Sequence, residues 1–530
     1  MGHSPINSNY LDQLLSIYPK VQDAKCLSLG FKSGFSLNFN GPRKRLEFRN
    51  MISAFQYTSQ VQEKIDKEVQ LGRILGPFSD PPMFNLRCNP IGLVPKKQGG
   101  WRMITNLSYP TGNSVNDFID PNICSVNYAT FDDAISLIAK KGEGALLAKM
   151  DISNAFRLLP VCPQDFCLLG LKHADLYYID KCLPMGCSLS CSLFEKFSTF
   201  LHWELSRRSE LESIIHYLDY FLFVGSDNSL ECKDLMTHFE VLCLELGIPL
   251  ALEKTEGPVT CLSFLGLGID TISMTIFVPG DKVTELLGKI HVILESKKVT
   301  LREMQSLVGS LAFVVKALPA GRAFCSRIYG SFVGVRKPHH FVRITKGIKL
   351  DLLMWVQFLS EFNGRTQFPN LVWQEDEALH FYSDSSGSQG CGVDFGKHWC
   401  CVQWPHSWPE EIYRDITLLE LIPIVLGVII WAEKLKDKKL LLHIDNLSLV
   451  HIINRKSSTT NRIMTLVRML VLQTLRFNIQ IRAQHIQGVK NEIADAISRF
   501  QWSRFRQLAP WADPHPSLVP IQFWKLLLEL

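Results

Sequence analysis

Apolar and polar positions change period several times along the chain, and each change predicts an element. Ser59 to Gly72 has the polar, charged spacing of an exposed helix, and Gly76-Pro77 with Pro81-Pro82 marks its end. Ile91 to Pro95 and Trp101 to Leu107 read as the arms of a strand-turn-strand, with Gln98-Gly99-Gly100 as the turn. Ala145 to Met150 is an apolar run closing on Asp151, and Ser153-Asn154-Ala155-Phe156 after it is a helix-start signal. From His216 to Gly225 apolar arms flank Asp219, which predicts a hairpin with that acid at its tip. Between about 280 and 330 apolar residues recur at helical spacing, with breaks expected at Gly309 and Pro319-Ala320-Gly321. From about 375 the order becomes strand, strand, strand, helix, strand, helix, strand, helix, ending near Arg499, and a separate α/β domain is predicted there. The first 55 residues offer no site, and the tail from Phe500 to Leu530, with its Trp and Pro residues, reads as an extension or linker.

Composition narrows this picture modestly. A chain of 530 residues exceeds one core and implies three or four domains. With 46% hydrophobic and 20% charged residues it is not mainly disordered, and its net charge of +5 suits a polyanion partner without selecting one. Fifteen cysteines include no CxxC pair and no zinc-type Cys/His spacing, and no secretory leader opens the chain. They read as reduced thiols of an intracellular protein, in cytoplasm or nucleus. Leu421 to Ala432 is too short to span a bilayer and follows Glu420, so a buried helix is expected. Ile6 stands where a myristoylation signal needs Ser or Thr, and no membrane anchor is implied.

The charged positions admit a structural and a chemical reading. The hairpin presents Lys96, Lys97 and Arg102 together, which a solvated basic turn explains as well as a site does. Asp151 and Asp219 are strand-end acids joined by a long connection, which invites a shared cation, although either alone reads as a turn or capping carboxylate. Further on, Leu379 to Asp384 is a strand ending in an acid, and Ser386-Gly387-Ser388-Gln389-Gly390 turns into the next strand. Leu440 to Asp445 repeats the pattern, with Asn446 and Ser448 available to start a helix. Glu420 falls on the intervening helix, and Asp495 on a last helix begun by Asn491. Thr417-Leu418-Leu419-Glu420 is also a capping box, and Pro423 is expected to disturb that helix by removing an amide donor. His485, just after an alternating strand at Phe477 to Ile481, fits a structural or a catalytic role. Phosphoryl transfer by paired divalent cations needs hard oxygen ligands, which strand-end carboxylates supply and which suit Mg²⁺.

Met150-Asp151-Ile152-Ser153-Asn154-Ala155-Phe156, Leu183-Pro184-Met185-Gly186, Tyr217-Leu218-Asp219-Tyr220 and Leu262-Ser263-Phe264-Leu265-Gly266 follow the order and spacing of reverse transcriptase motifs. The chain resembles that family over roughly residues 50 to 520. Val94-Pro95-Lys96-Lys97 through Gly100-Trp101-Arg102, with Ser114-Val115-Asn116-Asp117, looks more like the DIRS-like group of tyrosine-recombinase retrotransposons than like the long-terminal-repeat families. The resemblance implies that Asp151 and Asp219 bind metal and that Lys96 and Arg102 hold the phosphates of an incoming nucleotide. It implies that Phe156 excludes a 2′-hydroxyl and that Met185 and Gly186 pack against nucleotide and template. Asp384, Glu420, Asp445 and Asp495 resemble the four-carboxylate ribonuclease H site, and His485 resembles its mobile histidine, which assists product release or proton transfer. Both sites imply Mg²⁺, with Mn²⁺ as a substitute, two ions per active site.

One position departs from the family. Its motif has two adjacent aspartates, whereas Asp219 is followed by Tyr220. A phenol, with an ordinary pKa of about 10, is a poor Mg²⁺ ligand at neutral pH, so polymerisation is expected to be weak or absent.

These readings predict an α+β right-hand polymerase (fingers, palm, thumb) followed by an α/β RNase H-like domain. The expected divisions are an N-terminal extension over 1–55, fingers and palm over 56–270, thumb and connection over 271–375, an RNase H-like domain over 376–500 and a tail over 501–530. The implied partners are an RNA template, a DNA primer strand, RNA/DNA hybrid and deoxynucleoside triphosphates, met through phosphates by the basic hairpin and the region Arg336 to Lys349. Three readings stay open: a polymerase with nuclease, a nuclease whose polymerase half only binds nucleic acid, and a decayed or host-adopted protein without catalysis. Tyr220 argues against the first, and the complete nuclease set against the third.

Overall fold

The computed structural model describes residues 1–96, 99–361, 365–367, 379–458 and 460–529, so Lys97, Gln98 and the boundary expected near 375 lie outside the described residues. The chain forms two units, Met1–Phe264 and Leu265–Leu530. In the first, α1 (Ser8–Leu15), α2 (Val21–Ser33) and α3 (Thr58–Gln70) precede the hairpin β1 (Ile91–Pro95) and β2 (Trp101–Thr105), whose register sets Val94 against Arg102. The central sheet has β3 (Leu146–Asp151), β4 (Ile214–Tyr217), β5 (Tyr220–Gly225) and β6 (Glu256–Val259) in the spatial order β6-β3-β5-β4, every pair antiparallel. β3 and β5 read as apolar runs rather than alternating ones because both faces are covered: Leu147, Ala148, Met150 and Phe221 to Val224 are all buried. α4 (Ser190–Ser209) and α5 (Glu231–Leu246) cover the face that carries Ala148, Met150, Phe221 and Phe223. Leu11, Leu27, Phe31 and Leu37 belong to the same buried cluster as Phe194, Phe197 and Phe200, so the N-terminal residues complete this core.

In the second unit, α6 (Gly280–Glu295), α7 (Leu301–Val314) and α8 (Lys346–Glu361) come first. Gly309 lies inside α7 instead of ending it. A Thr300–Glu303 capping box starts the helix, and its buried stripe, Met304, Leu307, Val308, Leu311 and Val314, runs past the glycine. That burial outweighs a glycine cost of about 1 kcal/mol. A five-stranded sheet follows, with β7 (Leu379–Ser385), β8 (Gly390–Phe395), β9 (His398–Gln403), β10 (Lys439–Ile444) and β11 (Gln480–His485) in the order β9-β8-β7-β10-β11. The first three strands are antiparallel meanders, and β10 and β11 join in parallel. Parallel pairing needs crossovers, supplied by α9 (Ile416–Ile430) and by α10 (Leu447–Arg455) with α11 (Asn461–Arg476). α9 and α12 (Glu492–Ser498) pack so closely on the sheet that each contact requires a glycine, Gly427 within α9 itself and Gly392 on β8 beneath α12. A Cβ on Gly427 would meet the Phe381 ring at 2.4 Å, and one on Gly392 would meet Ile497 at 2.6 Å.

Two expectations need correction. The last strand is β11, not Phe477 to Ile481: Phe477 closes α11, and Asn478 turns the chain at φ +51°, so His485 ends a strand rather than following one. Nor is the tail simply a linker, because α13 (Trp502–Leu508) folds back on the sheet, where Phe505 and Ala509 are buried with Trp399, Ala496 and Ile497. Among the described residues, no helix is long and apolar enough to cross a membrane.

Candidate metal centres

Asp151 ends β3 directly opposite Tyr220, and Asp219 occupies the two-residue turn joining β4 to β5. That turn holds Leu218 at φ +53°, a backbone region that branched side chains rarely enter. Glu195 of α4 steadies it from behind: one carboxylate oxygen accepts the Leu218 amide at 3.3 Å, and the other lies 3.1 Å from His216 Nε2. His216 Nδ1 lies 2.8 Å from His202 Nδ1, and burial, followed by the neighbouring His216, lowers His202 to about 4 and keeps it neutral. Burial, then the Asp151 charge, pushes the Asp219 carboxyl up to about 6 against the pull of Lys254 and Arg102. A buried acid pushed up by an acidic neighbour is an electrostatic mark of a cation site. Lys254 partly answers that charge, with Nζ 2.9 Å from Asp151 Oδ1, and nothing in its sequence context singled it out.

Tyr220 is turned to a different task from the aspartate it stands for. Its hydroxyl donates to the Ser263 carbonyl at 3.2 Å, and its ring centroid lies 5.5 Å from that of Phe264. Burial, then the charges of Asp151 and Glu256, raises the phenol well above its ordinary range, so it stays a neutral donor.

Around these acids, Lys96 and Arg102 are exposed on the β1–β2 hairpin, with Arg102 near enough for its charge to act on Asp219. Phe156 is half-buried in the helical turn Ala155–Leu158, edge-on to Phe194 at 5.8 Å. Met185 is half exposed, and Gly186 cannot carry a side chain, since a Cβ would meet the Thr105 carbonyl oxygen at 2.0 Å. Asn116 fixes this loop by donating to the Gly186 carbonyl at 2.9 Å and accepting the Ser188 amide at 3.0 Å. Such a bond joins distant segments and leaves no local pattern to read.

In the second unit, Asp384, Glu420 and Asp445 present oxygens that all lie within 4.8 Å of one another. Burial, then the charges of Asp445 and Asp384, pushes Glu420 up to about 9. Burial raises Asp384 too, moderated by the Ser498 hydroxyl at 2.5 Å. Glu420 Oε2 and Asp445 Oδ1 are buried without a hydrogen-bond partner. An all-carboxylate donor set with orphaned oxygens fits a hard divalent cation.

Local chemistry explains how Glu420 reaches that cluster. Asp415, rather than Thr417, caps α9, accepting the Leu418 amide at 3.1 Å. Pro423 does not break the helix. It lacks the amide that would bond the Leu419 carbonyl, and the Ser385 hydroxyl donates there instead at 2.8 Å. The same bond ties the strand end bearing Asp384 to the helical turn bearing Glu420. Asn446 caps α10 by accepting the Leu449 amide at 3.1 Å. Asn491 makes no side-chain cap and instead donates to the Ser383 carbonyl at 2.8 Å, fastening α12 to β7.

Asp495 stands outside the three-acid cluster. Burial would raise it, but ion pairs with Arg499 and Arg504, each at 2.6 Å, hold it below the usual carboxylate range. His485 is exposed at the end of β11, with Nε2 3.1 Å from the Asp445 carbonyl.

Residues 94–269 match the reverse transcriptase (RNA-dependent DNA polymerase) family. The matched segment contains the second strand of the hairpin, both aspartates and Tyr220. The chain is similar to the Gag-Pro-Pol polyprotein of Human T-cell leukemia virus 3 (strain 2026ND), 25% identical over 289 residues, which are 53% of this chain and 18% of that polyprotein. It is similar to Protein P of Duck hepatitis B virus (strain China), 32% identical over 170 residues, 31% of this chain and 21% of that protein. The chain thus spans about a fifth of the length of these curated relatives. Foamy viral protease-reverse transcriptase in complex with dsDNA is 16% identical with a TM-score of 0.48, covering 92% of this chain and 98% of that one. Its complex with RNA/DNA hybrid, also 16% identical, gives a TM-score of 0.46 over 90% and 62%. The α+β polymerase-type sheet of the reverse transcriptase segment is followed by an α/β RNase H-like sheet, which is the fold class expected from sequence.

Proposed function

We propose that the chain is the reverse transcriptase and ribonuclease H portion of a retroelement, with a nuclease site complete as it stands and a polymerase site limited by Tyr220. The observation that carries this reading is the buried cluster of Asp384, Glu420 and Asp445, whose mutual repulsion and orphaned oxygens call for a cation. Those three acids would hold Mg²⁺ or Mn²⁺, with Asp495 as a fourth acid once its arginines release it and His485 assisting product release. In the polymerase half, Asp151 and Asp219 would hold metal, Lys96 and Arg102 the triphosphate, and Phe156, Met185 and Gly186 the nucleotide and template. A divalent ion, two in each site, supplies Lewis-acid stabilisation of charge on phosphate oxygens and activates the attacking oxygen. The substrates are an RNA template with a DNA primer, deoxynucleoside triphosphates and RNA/DNA hybrid, in an intracellular setting.

Fingers and palm over 56–270, thumb and connection over 271–375 and a nuclease domain over 376–500 are the matching divisions. The motifs Val94 to Arg102 and Ser114 to Asp117 support a DIRS-like retrotransposon as the source. The test is primer extension and hybrid cleavage run side by side on the purified chain with Mg²⁺: cleavage with little extension is expected. Extension without cleavage overturns the reading. A second reading, a nuclease whose polymerase half only binds nucleic acid, is favoured by the bond that fixes Tyr220 to Ser263. It predicts hybrid binding without extension even in Tyr220→Asp.

A further inference from the structure

On the α12 side of the second sheet, a cavity of about 350 Å³ lies between β7, β8, β9 and the tail, a size at the lower end of small-molecule sites. At its wall is Asp394, 8% exposed, paired across the strands with Tyr382. Asp394 Oδ1 is buried without a hydrogen-bond partner. Burial alone pushes this carboxyl up to about 7. A carboxyl placed so deep without a partner is a cost to folding unless something else pairs with it.

The remaining walls are mostly rings. Tyr382, Trp399 and Phe505 line the interior, and Trp511, 61% exposed, stands at the mouth. The rings are held in place independently of any occupant. Tyr382 stacks on His443 with centroids 4.4 Å apart, and Trp399 packs 4.8 Å from Phe505 while its Nε1 donates to the Asp513 carbonyl at 2.7 Å. Arg506 secures the same turn through the carbonyls of Ala512 and Asp513, each at 3.0 Å. A fixed aromatic slot with one unpaired acceptor at its wall selects a flat ring carrying a donor.

We propose that this cavity binds a planar heteroaromatic ring bearing an exocyclic amino group, such as the amino edge of adenine, cytosine or guanine, with Asp394 as the hydrogen-bonding partner and the aromatic walls as the stacking surface. A carboxyl that is protonated part of the time accepts from the amino group and donates to an adjacent ring nitrogen, so adenine and cytosine match it with two bonds. Uracil offers no amino group. A guanidinium is also flat, but it requires an ionised carboxylate, which this burial disfavours. The base is the shared chemistry whether it comes as a free nucleoside or on a strand.

The test is calorimetric titration of the full chain with adenosine, cytidine, uridine and N-acetyl-arginine amide, and with a uridine pentamer carrying one central adenosine. Adenosine is expected to bind at least about 10-fold more tightly than uridine, and Asp394→Leu and Trp511→Ala each to weaken adenosine by at least about 10-fold. Asp394→Leu should melt no lower than the unmodified chain, because it removes an unpaired buried acid. If it fails to fold, Trp511→Ala at the exposed mouth decides the matter. Competition between the pentamer and adenosine identifies a strand as the source, and adenosine binding without competition identifies the free nucleoside; the proposal stands in both cases. Equal affinity for adenosine and uridine, tighter binding of the arginine amide, full affinity in the variants, or no binding by about 5 mM overturns it.

Discussion

Asp151 in the first unit meets a lysine and Asp219 is followed by a phenol turned to a backbone carbonyl, whereas Asp384, Glu420 and Asp445 in the second meet chiefly one another. In the first, Lys254 lies against Asp151, Tyr220 donates to a backbone carbonyl, and Asp219 rises only to about 6. In the second, Glu420 is pushed to about 9, and two carboxylate oxygens are left buried and unpaired. Repulsion that the protein leaves unanswered is what an incoming cation can relieve. On that comparison the three-acid centre is prepared for metal, and the two-aspartate centre has partly satisfied its own charge.

The largest effect is expected at the three-acid centre. Asp384→Asn keeps the shape and removes one anionic ligand. Since disturbing outer-shell partners alone costs about 10–100-fold in metal affinity or activity, loss of a direct ligand should cut hybrid cleavage by at least about 100-fold. Without metal, the same variant should melt slightly higher, because it relieves repulsion within the cluster. Undiminished cleavage by Asp384→Asn on a product gel would show that this site has been misassigned.

Tyr220→Asp tests the other half. It returns a carboxylate beside Asp219 and frees the Ser263 carbonyl, and primer extension at ordinary Mg²⁺ should rise by about 10–100-fold, with hybrid cleavage unchanged as the internal control. Equal extension by both proteins would mean the second acid was never needed. If neither extends while both cleave, the first unit carries a further defect.

How far these sites could be read in the chain depended on how local their causes are. Asp151 and Asp219 were legible because an apolar run ending in an acid and a short turn between apolar arms are local patterns. The RNase H-like order of strands and helices was legible for the same reason. Thr417 was the wrong cap because Asp415 offers an equally local cap two residues earlier. The tolerance of Pro423 was hidden because its remedy, Ser385, lies on another strand. Lys254, Asn116, Glu195 and the orphaned Asp394 oxygen share that difficulty: each owes its significance to a neighbour distant in sequence.

The charge contrast also sets a pH dependence. Glu420 has an ordinary value of 4.5 and a folded value of about 9. Between those limits the unfolded chain has lost this proton while the metal-free folded chain keeps it, so stability falls as pH rises, by at most about 1.4 kcal/mol per pH unit. Burial of Asp384 acts in the same sense. Urea denaturation in chelator should therefore give a midpoint that drops from pH 5 to pH 8, and Glu420→Gln should flatten the slope. Mg²⁺ should oppose the drop, because binding requires the deprotonated acids. A midpoint that rises with pH in chelator would contradict the repulsion on which the comparison rests.

The smallest effect tests how the three-acid centre is built. In Ser385→Ala the Leu419 carbonyl loses its donor, and Pro423 has no amide with which to replace it, so stability should fall by about 1–3 kcal/mol, the cost of a buried carbonyl left unpaired. Cleavage should fall as well, since the lost bond joined the strand end of Asp384 to the helical turn of Glu420, while primer extension should not change. Ser388→Ala, at an exposed position in the adjoining turn, controls for the loss of a hydroxyl and should be close to neutral. Pro423→Ala supplies the missing amide from within α9. In that background Ser385→Ala should cost less than half of what it costs alone, which a double-mutant cycle measured by urea denaturation reads directly. If the full cost appears in both backgrounds, Ser385 acts through something other than the Leu419 carbonyl, and the link between the two acid-bearing elements must be sought elsewhere.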